Sequence, residues 1–255
     1  MFDITLRKAG LSYGDHVVFD HLDLVLRAQH WTCLLGPNGV GKSSLLRRIA
    51  GLDNGRDCRS WGDVCCTDGQ PLKGRVSWFA QNDQLLPWGT VLDNITLAQR
   101  LEQPFWQPRS RLPTSVTERA FHLLEQLGLA DKAKSLPQTL SGGEQQRVTL
   151  ARVLMEDRPV ILMDEPFSAL DVVTRLDIHD VICTFLVNRT VILITHDPLE
   201  ALRLGHFIYH LRGSPARLTE PLIPQGRRPR SPHDSEIIAL QGVLFDRYLG
   251  DEKNV

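Results

Sequence analysis

The chain has 255 residues, 29 Lys and Arg against 30 Asp and Glu, and 42% hydrophobic residues. That is enough to bury a core in one α/β domain with a subdomain, while a net charge of −1 supplies no global field for nucleic acid. No apolar run approaches the ~20 residues that span a bilayer, and Met1-Phe2-Asp3-Ile4 lacks the basic start and apolar core of an export signal, so a cytoplasmic location is expected.

In chain order, residues 2–7 and 16–27 alternate apolar and polar side chains (Val17, Phe19, Leu22, Leu24, Leu26) and read as antiparallel strands around a turn at Ser12-Tyr13-Gly14-Asp15. Trp31 to Leu35 reads as a buried strand and residues 42–51 as a helix stopped by Gly51. Short strands are expected around Val64 and at Val76-Ser77-Trp78-Phe79. From 83 to 138 helical spacing takes over, with one helix from Asp93 to Leu101 and another from Thr117 to Leu127 ending at Gly128. Residues 103–113 hold three prolines and read as a loop. The whole stretch reads as a helical insertion, about 83–156, in the α/β core.

Ser141 is placed to cap a helix over Gly142 to Glu156, with Glu144 three residues on completing a capping box. Val160 to Met163 and Val191 to Ile194 are continuously apolar, as buried parallel strands are. Helices are expected from Leu170 to Val187 and from Pro198 to Leu204, and a strand at 206–211. Residues 213–232 carry Pro215, Pro221, Pro224, Pro229 and Pro232 among Arg217, Arg227, Arg228 and Arg230. That segment reads as a solvated linker, in preference to one that touches lipid headgroups. Ser235 to Leu249 reads as an amphipathic helix with Ile237, Leu240, Leu244 and Tyr248 on one stripe. The five cysteines, Cys33, Cys58, Cys65, Cys66 and Cys183, match no zinc spacing. They are expected to be reduced, with Cys33 and Cys183 as small core residues.

The chemistry centres on Gly36-Pro37-Asn38-Gly39-Val40-Gly41-Lys42-Ser43, which fits the phosphate-binding P-loop pattern. Strand, glycine-rich turn and helix in that order separate such a loop from a chance match. The glycines let successive N–H groups point at phosphate oxygens, and the helix start adds its positive end. Lys42 is placed to reach the terminal phosphates and Ser43 to offer its hydroxyl to Mg²⁺. Asp164 and Glu165 end the apolar run 160–163, where ligands bind in α/β sheets. Asp164 is the expected magnesium partner through water, and Glu165 the group that polarises the attacking water. His196, directly after a buried strand, is expected to contact the γ-phosphate or steady the water. Gln81, after residues 76–80, is expected to contact Mg²⁺ or water. Leu140-Ser141-Gly142-Gly143-Glu144-Gln145-Gln146-Arg147 opens a helix with small residues and exposed N–H groups, a second anion site. One chain cannot easily apply two cradles to one nucleotide, so the pattern hints at a dimer that sandwiches it.

These six motifs together resemble the ATP-binding subunit of ABC transporters over nearly all of 1–212. Walker A is similar to 36–43, the Q-loop to Gln81, the signature to 140–147, Walker B to 160–165, the D-loop to Ser168-Ala169-Leu170-Asp171 and the switch histidine to His196. The resemblance implies a P-loop NTPase core with an antiparallel β subdomain and a helical insertion, followed by an Arg/Pro-rich linker and helix over 213–255. It implies ATP with Mg²⁺, and adenine stacked on Tyr13. The phosphates and metal would meet Gly36 to Ser43, Ser44, Gln81, Asp164, Glu165 and His196 of one subunit. Ser141, Gly142, Gly143 and Glu144 would come from a second copy. The expected partners are two transmembrane permease subunits and, indirectly, a solute-binding protein, on the cytoplasmic side of the inner or plasma membrane. Residues 83–88, ending in Trp88, would line the coupling groove. The stretch from Gln84 to Ile95 resembles the nitrate/sulfonate/taurine group of importers, which also includes thiamin-precursor pyrimidine importers. The alternatives are a soluble ABC-type ATPase acting on nucleic acid or the ribosome, whose usual long coiled-coil insertion or second nucleotide domain is not visible, and the ATPase of an exporter.

Overall fold

The computed structural model describes residues 1–53, 55, 57–80, 85–102 and 112–252. They fall into two compact units. The first holds residues 1–76, 159–165 and 187–255, and the second residues 77–158 and 166–186.

In the first unit, β1 (Ile4–Tyr13) lies between β2 (His16–Leu26) and β4 (Cys58–Cys66) in an antiparallel three-stranded sheet. The first strand of the hairpin runs further than its alternation suggests, while the second matches to within a residue. Ser12 and Tyr13 pair across it with Val17 and His16, which leaves Gly14 and Asp15 as the turn.

A second sheet carries β6 (Val160–Asp164), β7 (Thr190–Ile194), β3 (Trp31–Leu35) and β8 (Phe207–Arg212) side by side and parallel, with the short β9 (Arg217–Leu218) antiparallel to β8. Every residue of β3, β6 and β7 is buried. That burial is the physical meaning of their unbroken apolar runs, each large side chain stabilising by roughly 1.5–3 kcal/mol. α1 (Lys42–Ala50) ends at Gly51, as expected, and α7 (Pro198–Leu204) starts on an Asp197 cap. α8 (Ser235–Glu252) packs on α7 and buries Ile237 and Leu244, with Ile238 and Phe245 left exposed.

The segment before α8 is not a solvated linker along its whole length. Arg230 is 4% exposed and its side chain is bonded to backbone carbonyls of the same unit. The order-of-magnitude cost of burying a guanidinium is offset here because its donors meet acceptors.

The second unit is helical apart from β5 (Val76–Phe79), which begins in the first unit: α2 (Val91–Ile95), α3 (Leu97–Glu102), α4 (Thr114–Gln126), α5 (Gly142–Glu156) and α6 (Val172–Phe185). The single helix expected from Asp93 to Leu101 is two. Thr90 and Asp93 form a capping box that starts α2 early, and the chain breaks at Thr96, whose hydroxyl donates back to Leu92 O at 2.7 Å. α6 starts later than expected because Asp171 is its cap, accepting from Val173 N and Thr174 N. The capping box of α5 forms as the sequence suggests, Glu144 Oε2 accepting from Ser141 N at 2.7 Å. None of the five cysteines is in a disulfide, and Cys183 is only half-buried. The prolines of 103–111 lie outside the described residues.

One half-buried histidine ties the base of the first unit's sheet together. Trp31 N donates to His206 Nδ1 at 2.8 Å, and the His206 ring lies 4.6 Å from that of His30, tilted by 58°. Burial, with Arg228, His30 and Arg230 nearby, pushes His206 down from 6.5 to about 3. A depressed value means that its stabilising contribution is complete above about pH 6.5 and is lost as pH falls toward 3. We expect chemical denaturation to show a loss on the order of 2–4 kcal/mol from this group across that window. His206→Asn, which keeps an acceptor for Trp31 N, should flatten the acid limb.

Candidate functional site

β3 delivers the chain into the loop 36–41, and two glycines there are required by space as well as by conformation. Gly36 has φ 152° and a Cβ would stand 2.3 Å from Leu211 O; Gly41 has φ 109° and a Cβ would stand 2.4 Å from Val18 Cγ1. Pro37, Asn38 and Gly39 are exposed at the loop tip, with Val40 half-buried behind them. Gly41 caps α1 without a side-chain acceptor, so the first-turn amides of α1, including those of Ser43 and Ser44, face the loop as donors for an anion.

Lys42 is buried and its Nζ donates to Gly36 O at 2.7 Å and Pro37 O at 2.9 Å. Burial lowers its pKa, while the carboxylates of Glu165 and Asp164 act the other way. Asp164, the last residue of β6, is 5% exposed. Burial raises its pKa, against a hydrogen bond with Ser43 and the charge of Lys42. A cation and two carboxylates are thus gathered in one poorly solvated place.

Glu165 follows in a left-handed conformation, φ 50°, uncommon for a residue with a Cβ and costing on the order of 1 kcal/mol. Its N–H donates to Ile194 O at 3.0 Å, so the strain turns the side chain out of the sheet while the ladder continues. Its Oε2 lies 3.5 Å from His196 Nδ1; the glutamate side chain is 16% exposed and the histidine 62%. Lys42, Ser43, Asp164, Glu165 and His196 are therefore brought together in the first unit. Tyr13 ends β1 of the same unit, 39% exposed and paired with His16 and Cys58. Gln81 lies outside the described residues.

The second cradle belongs to the second unit. Ser141 and Gly142 are exposed at the start of α5, and Gly143 leaves 3.3 Å between its would-be Cβ and Ala169 O. The bond from Ser141 N is the main reason that Glu144 is more acidic than usual. Sequence reasoning assigned no role to Gln146. It is 6% exposed, its Oε1 accepts from Ala169 N at 3.0 Å, and its Nε2 donates to Ser168 Oγ at 3.3 Å. It binds segment 168–169 onto α5, and no local signal shows that these distant residues meet. Val18, against Gly41, was missed for the same reason.

A glycine loop between a buried parallel strand and a helix, with an acidic pair closing another strand of that sheet, defines a P-loop nucleoside triphosphatase. The ABC transporter family model matches residues 19–168. An uncharacterized ABC transporter ATP-binding protein of Haemophilus influenzae is 36% identical over 255 residues, 98% of this chain and 100% of that one. The aliphatic sulfonates import ATP-binding protein SsuB 1 of Rhodococcus jostii is 38% identical over 242 residues, covering 94% and 91%. The dimeric structure of a bacterial ABC transporter cassette superposes with TM-score 0.72 at 26% identity, covering 88% of this chain and 100% of that one. The chain belongs to the ABC transporter family and is an ATP-hydrolysing subunit of it.

The tight seat of Gly41 gives a direct test. Gly41→Ala is expected to cost about 2 kcal/mol of stability, because φ is forbidden and Val18 is rigid backing. It should also weaken nucleotide binding. Denaturant titration and fluorescent-nucleotide titration would report the two effects separately.

Proposed function

We propose that this subunit powers a membrane importer for aliphatic sulfonates or closely related small solutes. The single observation that carries the reading is the gathering of Lys42, Ser43, Asp164, Glu165 and His196 at one end of the first unit's sheet, in a chain similar to sulfonate import ATP-binding proteins. The subunit would sit on the cytoplasmic face of the membrane, against two permease subunits fed by a solute-binding protein.

In this reading loop 36–41 and the first-turn amides, Ser44 included, hold the phosphates, and Lys42 neutralises them. Tyr13 stacks on adenine. Mg²⁺ would be held by Ser43 and, through water, Asp164, with Gln81 as a further contact. This hydroxyl-and-carboxylate set suits a hard cation that takes its remaining ligands from phosphate and water. Bound there, the ion would supply charge compensation on the phosphates. Glu165 polarises the attacking water, and its left-handed backbone aims the carboxylate away from the sheet. His196 orients that water or the γ-phosphate. Ser141, Gly142, Gly143 and Glu144 come from a second copy, whose capped α5 start closes over the same nucleotide. The two copies thereby form two composite sites, and their closure drives the permease.

The alternatives of a nucleic-acid- or ribosome-acting ATPase and of an exporter ATPase are not favoured, since the import subunits from several bacteria align over at least nine-tenths of the chain. The experiment that tests the proposal reconstitutes the subunit with its permease in liposomes. ATPase stimulation by binding protein loaded with an alkanesulfonate supports it. Stimulation only by a chemically unrelated solute would sink the solute class.

Two variants test the roles. Glu165→Gln should keep ATP binding and lower turnover by at least ~10²-fold, since water polarisation acts mainly in the transition state. Trp88 is 77% exposed in the segment assigned to coupling. Trp88→Ala should leave the melting temperature and the ATPase of the isolated subunit unchanged and reduce transport in the reconstituted system.

A further inference from the structure

The last turn of α7 is capped by the basic tail. Arg230 Nη1 donates to Leu202 O at 2.7 Å and to Gly205 O at 2.8 Å. Its backbone N–H donates to Arg203 O at 3.1 Å, and Arg228 Nη1 donates to Leu204 O at 3.0 Å. The carbonyls of four successive residues, 202–205, are therefore taken by two arginines of one segment. These are the acceptors that a helix end leaves without intrahelical partners, and cationic donors suit its negative pole. The grip is reciprocal: Arg203 Nη1 donates to Arg230 O at 2.7 Å, and Arg230 Nη2 returns to Pro224 O at 2.7 Å. Gly205, just after the helix, is backed by Cys33 of β3, since a Cβ there would stand 2.9 Å from Cys33 Sγ.

The other end of α7 is the candidate site. Its cap, Asp197, directly follows His196, and Asp197 N donates to Thr195 Oγ1 at 3.0 Å. A helix of seven residues is only about 10 Å long, so a displacement of its C-terminus reaches the histidine with little loss. We propose that Arg230, assisted by Arg228, is a positioning residue for hydrolysis: by capping the C-terminus of α7 it fixes the helix that presents His196 to Glu165. The inference rests on the assignment of His196 and Glu165 to the hydrolytic step. It gives the proline- and arginine-rich tail a task in the site rather than on the surface.

The test uses the full chain and two measurements, steady-state ATPase and the NMR signal of the His196 imidazole. Arg230→Met should lower kcat on the order of tenfold with KM for ATP unchanged, as a small misplacement of a water-orienting group does, and should move the His196 signal. Arg230→Lys keeps the charge without the planar fork and should fall between. In a His196→Ala background, Arg230→Met should have no further effect on kcat. A lowered melting temperature with kcat and the His196 signal unchanged would overturn the proposal, as would an equal loss of kcat in both backgrounds. Should Arg230→Met fail to fold, Arg228→Gln, which removes one carbonyl contact, carries the same comparison. If His196→Ala alone leaves kcat unchanged while the Arg230 variants still move the His196 signal, the clamp stands and the hydrolytic assignment of His196 is what fails.

Discussion

The site depends on the register of three parallel strands. Leu34 of β3 and Asp164 of β6 both stand opposite Ile194 of β7, so one row crosses the sheet just before each strand gives way to a loop. Thr195 N continues the ladder to Leu34 O at 3.3 Å, and Glu165 N to Ile194 O at 3.0 Å. One or two residues further, the same row becomes Gly36, Glu165 and His196. A slip by one residue would turn every side chain to the other face and take the acidic pair away from the phosphate loop. Because every residue of these strands is buried, such a slip would also cost apolar burial, which is why the register holds.

That frame supports an arrangement that is locally unfavourable. Lys42 and Asp164 are both buried, and burial disfavours the charge of each; Glu165 is held at positive φ. Each charge partly relieves the other, and the strain is tolerated because the surrounding strands over-determine the backbone. The consequence is a set of charges already aimed before any ligand arrives, so little reorganisation is left for the reaction.

In the second unit an analogous economy holds at α5. The capping box at Ser141 and Glu144 uses two of the helix-start donors internally, and Gln146 ties Ser168 and Ala169 to the same helix. The signature segment and the segment leading into α6 therefore form one rigid piece. The tail plays the matching part in the first unit, where Arg228 and Arg230 close the open end of α7.

Much of this was legible in the sequence, because much of it is local. The capping box spans four residues, the P-loop pattern eight, and a buried parallel strand announces itself as an unbroken apolar run. Lys42, Ser43, Asp164 and Glu165, which the fold gathers at one place, could be picked out on those signals, and His196 once the other motifs stood beside it. What the sequence could not show is how distant segments meet. The break at Thr96 depends on a cap that starts α2 early. The seat of Gly41 depends on Val18, and the hold on Ser168 and Ala169 depends on a glutamine more than twenty positions away. Arg230 read as solvated because charged residues among prolines usually are. Only the tertiary structure supplied the carbonyls, 25 and 28 positions back along the chain, that let a guanidinium be buried. Local pattern thus determined the elements and the chemistry at their ends, whereas contacts across the fold decided which side chains hold those ends in place.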